Sequence, residues 1–238
     1  SMQQDAQEFL MYLLNDCSES LQKSLMESSS SSCSSSTRKK SFIETIFQGV
    51  LVNQTKCLCC ENVTSRDEPF IDLSIDIEQN TSLSYCLRNF SSVETLNRQN
   101  KFYCSTCCSL QEAHKMMKVK VLPQILVVHL KRFKYIERLA RHCKLSHRVA
   151  FPFELRLSLF NTSSLTHDRE RLYQLFAIVV HIGGGPNSGH YIALIKSHDI
   201  WFIFDDQKVR VIEQDEIESC FGKSFQTSSS SSSPTGYI

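Results

Sequence analysis

Two Cys-x-x-Cys knuckles place the strongest constraint on this chain: Cys57-Leu58-Cys59-Cys60 and Cys104-Ser105-Thr106-Cys107, the latter followed by Cys108. Two thiolates at that spacing grip one ion from a tight turn, and two such turns complete a tetrahedral zinc site. The 43 residues between the knuckles exceed what a compact zinc ribbon needs, so the fold must bring two distant hairpins together. Cys59 and Cys108 stand beside the knuckles and offer competing registers. Cys57, Cys60, Cys104 and Cys107 give both pairs one spacing and are the expected ligands. Four thiolates leave no open position, so one structural Zn2+ is expected, with no chemistry of its own. Eleven cysteines clustered this way point to metal ligation in a reducing compartment, not to a secreted disulfide frame.

Length and charge narrow the classes further. The 238 residues, 41% of them hydrophobic, fit one large or two small domains with a sizeable core. A net charge of +1 carries no overall signal for nucleic acid or membrane. Glu61 to Glu78 is acid-rich and Lys115 to Arg148 is basic, a pattern that two solvated faces explain. The aromatics within the basic stretch, Phe133 and Tyr135, are too few for a base-stacking platform, so no nucleic-acid partner is expected. No run of about 18 apolar residues occurs, and no membrane span is expected.

Along the chain, Ala6, Phe9, Leu10, Leu13, Leu14, Cys17 and Leu21 recur at helical spacing and predict one helix with a continuous apolar stripe. It runs into a serine tract, Ser28 to Ser36, and a second tract covers Ser228 to Ser233; neither can bury enough surface to order itself. Ile71, Leu73, Ile75 and Ile77 alternate with polar residues, the period of a half-buried strand. Thr81 or Ser82 is placed to cap a short helix whose inner face is Leu83, Leu87 and Phe90. Val119 to Phe133 and Tyr173 to Ile182 read as long central strands, and Glu213 to Phe221 as a short helix. A helix at the start and strands through the second half predict an α+β fold.

The chemistry concentrates near the C-terminus. A small-residue loop, Gly183 to Gly189, delivers His190 onto the apolar run Tyr191 to Ile195, and 15 residues later Asp205 and Asp206 end a second run, Trp201 to Phe204. Read as a hairpin, these runs set an imidazole beside a carboxylate, the arrangement a histidine base needs to hold one tautomer. A structural histidine in a hairpin mouth satisfies the same pattern. His129 and His181 stand inside apolar runs and read as core histidines.

Three blocks resemble the ubiquitin-specific proteases, a papain-like family of deubiquitinases. Met2-Gln3-Gln4-Asp5-Ala6-Gln7-Glu8-Phe9-Leu10 is similar to the family's glutamine box, Val128-His129-Leu130-Lys131-Arg132-Phe133 to its central strand, and Ser188-Gly189-His190-Tyr191 with Trp201 to Asp206 to its histidine box. The two knuckles resemble the zinc site of its fingers subdomain. The resemblance implies a papain-like α+β fold of thumb, palm and zinc-bearing fingers within a single catalytic domain over 1–238. Its parts would be a thumb helix over 1–27, a disordered Ser-rich insert over 28–41, mainly fingers over 42–125, palm with the histidine box over 126–226, and a Ser-rich segment leading into a final strand over 227–238.

The same resemblance implies thiol-dependent hydrolysis after the C-terminal glycine of ubiquitin. His190 would be the base, with Asp205 or Asp206 orienting it and Asp206 also placed to settle the oxyanion. Asp5, Gln7 and Glu8 would accept the basic ubiquitin tail; Phe133, Gly189 and Tyr191 would line the narrow end that admits only glycine. Phe133 fits plain core packing equally, and Asp5 also suits a helix N-terminus. Ubiquitin and ubiquitinated proteins are the implied partners. Phe70 to Thr81, Gln111 to Lys115 and Phe151 to Leu155 are similar to the compact branch that WD40-repeat proteins activate, and the implied location is cytoplasmic or nuclear. The family's helix-opening Gly-Asn-Thr-Cys motif is absent, so the chain is expected to be a fragment whose nucleophile lies upstream, inactive alone. A non-catalytic ubiquitin-binding module is the alternative.

Overall fold

The computed structural model describes residues 4–27, 40–158, 170–222 and 235–236. The serine tracts, Met2, Gln3, Cys33 and His167 lie outside the described residues. Ser41 is inside them, and it does not belong to a disordered insert. It is fully buried, caps the helix Phe42–Phe47 in a reciprocal capping box with Glu44, and shares a 2.8 Å hydrogen bond with Ser18. That contact ties the short helix to the long one, Ala6–Glu27.

The predicted apolar stripe of Ala6–Glu27 forms as a helix but is only partly covered. Leu14 is buried, while Phe9 is 63% and Tyr12 68% exposed, and Leu13 and Leu21 are exposed as well. Ser82, not Thr81, caps the helix Leu83–Phe90, accepting from the Tyr85 N–H, and Leu83, Cys86 and Leu87 turn inward.

Two sheets carry the site. An antiparallel four-stranded sheet, ordered Val63–Phe70, Gly49–Cys57, Ala113–Val121, Glu94–Leu96, extends to the paired hairpin Phe102–Cys104 and Ser109–Gln111. A second antiparallel sheet runs Lys208–Ile212, Ile200–Asp205, Ser188–Ser197, Ala177–Gly185, Thr235–Gly236. The alternating segment becomes the strand Asp72–Ile75, buried through Leu73 and Ile75, and it pairs parallel with Val127–Leu130.

Val119 to Phe133 is not one strand. Ala113–Val121 ends before Pro123, which has no N–H for a ladder, and the chain resumes as Val127–Leu130 and Phe133–Ile136. Cys143 lies in the strand Arg141–Lys144, paired with Phe133–Ile136. The expected glycine loop is likewise mostly strand: Gly183, Gly184 and Gly185 end Ala177–Gly185, and only Pro186 and Asn187 turn the chain.

Two cores hold these parts. One gathers Leu51, Phe70, Leu73, Ile75, Leu83, Leu87, Leu130 and Val149; the other gathers Ile178, Val180, Ile192, Leu194, Trp201, Ile212 and Ile217, with Phe151 packed against both. Arg132 is fully buried where they meet. Its guanidinium donates to the carbonyls of Leu145 (3.2 Å), His147 (2.8 Å) and Phe221 (3.5 Å), and burial pushes its pKa down to about 10. Among the described residues no helix is long and apolar enough to cross a membrane.

Candidate active site and metal centre

The second sheet places His190 near the mouth of its central strand, and the antiparallel neighbour ends at Asp205. His190 Nε2 and Asp205 Oδ1 are 2.6 Å apart, with the side chains 42% and 50% exposed. With Nε2–H donating to the carboxylate, Nδ1 is left as the open lone pair, the tautomer a general base needs. Asp206 lies in the turn beyond, and its carboxylate joins the same group, in which all three ligand atoms lie within 4.8 Å of one another. The hydrogen bond to the imidazole belongs to Asp205.

On the neighbouring strand, opposite Tyr191, His181 is fully buried. Its ring stands edge-on to Phe133 (centroids 5.3 Å apart) and tilted against Tyr191 (5.0 Å). Neither ring nitrogen has a hydrogen bond of normal geometry, although the Ser188 backbone approaches. Burial, with the Lys144 charge beside it, lowers the His181 pKa to about 4. The unfolded chain, with an ordinary histidine near 6.5, binds this proton first, so the free energy of unfolding falls as pH drops from about 6.5 to 4. The expected loss is on the order of 2–3 kcal/mol. Urea unfolding at pH 7 and pH 4.5 checks it: His181→Leu should show a clearly smaller difference between the two conditions than the parent chain.

Lys144 pins the same corner. Its ammonium donates to the carbonyls of His181 (2.7 Å) and Gly183 (3.2 Å), and burial together with the Arg132 charge lowers its pKa to about 8. Gly189 closes over the ring with φ of +152°, a conformation that disfavours any side chain. A Cβ there would meet the His181 imidazole and would lie 2.6 Å from the Ile182 carbonyl oxygen. Gly189→Ala should therefore lower the melting temperature by roughly 5 °C or more, since displaced backbone and a strained φ each cost on the order of 1–3 kcal/mol. An unchanged thermal midpoint would show that the close approach is not real.

The glutamine-box residues meet the histidine box here. Asp5 caps the long helix: its Oδ1 accepts the N–H groups of Gln7 (2.8 Å) and Glu8 (3.3 Å). The Tyr191 hydroxyl is held by the Ala6 backbone N–H, and Asp5 lies within electrostatic reach of Tyr191, His181 and His129. Glu8 is exposed. Gln7 is committed to the fold, its amide donating to Asp72 Oδ2 at 3.2 Å. Asp72 in turn accepts from Ser74 (2.8 Å), and Ser74 bonds His129 Nδ1 (2.9 Å). Burial lowers the His129 pKa. This chain of polar groups fixes the helix N-terminus against the parallel strand pair.

Asp72, Ser74, His181 and Lys144 were not among the expected site residues. For Asp72 and Ser74 the readable signal is their placement on the polar face of an alternating strand; for Lys144 no local signal exists.

At the far end of the first sheet, Cys57 closes Gly49–Cys57 and Cys60 follows in the turn, while Cys104 and Cys107 come from the small hairpin. Their four sulfurs lie within 4.8 Å of one another, and Cys60 and Cys104 are 3.6 Å apart. Tetrahedral zinc with Zn–S near 2.3 Å sets sulfurs about 3.8 Å apart, a spacing the cluster can reach with small side-chain shifts. The Cys107 backbone N–H pulls the Cys104 thiol down to about 7, and Cys60 beside it pushes Cys107 well up. Cys59 and Cys108 remain exposed outside the four.

The architecture is that of the ubiquitin-specific proteases. The chain belongs to the ubiquitin carboxyl-terminal hydrolase family, whose sequence profile matches residues 1–238. It is 50% identical over 256 aligned residues to ubiquitin carboxyl-terminal hydrolase 4 of Arabidopsis thaliana and 51% over 249 to ubiquitin carboxyl-terminal hydrolase 12 of Salmo salar. Both alignments take in this whole chain, and 68% and 66% of those relatives. The structure matches the SAGA Ubp8/Sgf11/Sus1/Sgf73 module bound to ubiquitin aldehyde with a TM-score of 0.76 and 29% identity, over 99% of this chain and 48% of the other. A structure of that module bound to monoubiquitin gives 0.74 and 31%, over 91% and 46%. The chain thus spans about two thirds of the curated relatives and about half of the solved chains.

Proposed function

We propose that this chain forms most of the catalytic domain of a deubiquitinase, which hydrolyses the peptide or isopeptide bond after the C-terminal glycine of ubiquitin. The 2.6 Å bond between His190 Nε2 and Asp205 carries the reading. With Nε2 committed, Nδ1 takes the thiol proton from the nucleophile and later returns it to the leaving lysine amine. Asp205 stabilises the imidazolium between those steps, and Asp206 stands beside it. None of the ten described cysteines joins this group, and on this reading the nucleophile is a cysteine outside those ten.

Asp5 and Glu8, acidic residues at the start of the long helix, suit the basic tail, while Gln7 positions the helix that carries both. Phe133, Tyr191 and Gly189 suit the narrow end, because Gly189 leaves no room above His181 for bulk. Cys57, Cys60, Cys104 and Cys107 would hold one structural Zn2+, which joins the two hairpins of the fingers and takes no part in hydrolysis. The parts of the domain are read as thumb helix, fingers, palm and final strand in chain order.

The resemblance of Phe70–Thr81, Gln111–Lys115 and Phe151–Leu155 to the compact branch supports a WD40-repeat activator, and a cytoplasmic or nuclear location goes with it. A ubiquitin-binding module without turnover is the second reading, since among the described residues no cysteine groups with His190. Titration of the chain with ubiquitin, and with ubiquitin lacking its last six residues, tests what both readings share. Affinity should fall about tenfold or more without the tail; equal affinities would contradict a tail channel at Asp5 and Glu8.

A further inference from the structure

We propose that His190, Asp205 and Asp206 also bind one divalent transition ion of the zinc class, and that its occupancy silences the imidazole. One ring nitrogen and two carboxylate oxygens lie within 4.8 Å of one another, so a small closure brings all three onto a single ion. They come from adjacent antiparallel strands and the turn that follows, a rigid support that needs no backbone rearrangement. An imidazole with two carboxylates suits Zn, Ni, Co and Cu better than Mg or Ca, and it leaves open positions for water. Two carboxylates with a neutral imidazole match the charge of the ion. Among the described residues neither carboxylate has a Lys or Arg nitrogen within 4.0 Å, so no internal cation competes. The side chains of His190 and Asp205 are half exposed, which gives the ion a route in.

The consequence follows from the tautomer. An ion on Nε2 replaces the hydrogen bond to Asp205 and moves the ring proton to Nδ1. Nδ1 is then a donor and can no longer accept a thiol proton. No net proton is released, and no bond in the chain is made or broken. This inhibitory step rests on the reading of His190 as the base; the binding step does not.

The site is separable from the fingers cluster and from the exposed thiols Cys59 and Cys108. The chain, saturated first with one equivalent of zinc, would be titrated calorimetrically with a second. The expected result is a second binding event that weakens at least tenfold in His190→Ala and in Asp206→Asn and is unchanged in the Cys59→Ser/Cys108→Ser double variant. Co2+ as the second ion should give weak d–d absorption without the intense sulfur-to-metal band. The proposal is overturned if the second event survives both site variants, if it disappears with the two thiols, or if none occurs up to about 1 mM metal. In the full-length protein, zinc should slow turnover reversibly on chelation; bound ion with unchanged turnover overturns the inhibitory step. Should the full-length protein turn nothing over, the binding titration still decides the site.

Discussion

In the full-length protein His190→Ala should lower hydrolysis of ubiquitin amides by about 10³-fold or more while leaving ubiquitin affinity within about threefold, the combination expected when a base is removed from a formed site. The imidazole is half exposed, and among the described residues its side-chain hydrogen bond is to Asp205 alone, so the fold loses little. Asp205→Asn should fall between the two, because the amide can still hold the ring but cannot offset the imidazolium charge. A steady-state assay with a fluorogenic ubiquitin amide, run beside a binding titration, reads both quantities. Retained turnover in His190→Ala would sink the assignment of the base, whatever the binding result.

Removing the metal from the thiolate cluster should have the second large effect. Cys57 and Cys104 are buried, and the four sulfurs bridge the turn after Gly49–Cys57 to the hairpin Phe102–Gln111, with Cys60 and Cys104 44 positions apart in the chain. Without the ion, the four thiols have only one another and a few backbone N–H groups as partners. Cys104→Ser, or prolonged chelation, should drop zinc content from one ion to none and lower the thermal midpoint by roughly 10 °C, since a structural zinc site contributes several kcal/mol to folding. Cys59→Ser and Cys108→Ser should change neither. If zinc stays bound in Cys104→Ser, the ligand set is wrong; loss of zinc in Cys59→Ser would shift the register by one.

What the amino-acid order reveals here is what is local. The knuckles are readable because thiol spacing and metal geometry are both short-range. The histidine box is readable because small residues, then two apolar runs, specify a hairpin without outside help. Even Pro123 is a readable sign that Val119 to Phe133 cannot be one strand.

The remainder depends on contacts between segments far apart in the chain. Nothing near Lys144 says that its ammonium will reach the His181 and Gly183 carbonyls, and nothing near Gln7 says that its amide will serve Asp72, 65 positions away. Ser41 looks like the tail of a serine tract, yet a capping box and a bond to Ser18 bury it. The exposed Phe9 and Tyr12 show the converse limit: periodicity predicts a helix and an apolar face, but not what that face meets.

The central claim, a thiol hydrolase of ubiquitin assembled around His190, is tested most directly by trapping. The full-length protein would be reacted with ubiquitin carrying a C-terminal propargyl amide, and the adduct located by mass spectrometry. The account predicts one ubiquitin on one cysteine that is not among the ten described, formed at a rate that falls sharply in His190→Ala. An adduct confined to the exposed Cys59 or Cys108, or no adduct while the protein still binds ubiquitin, would contradict it.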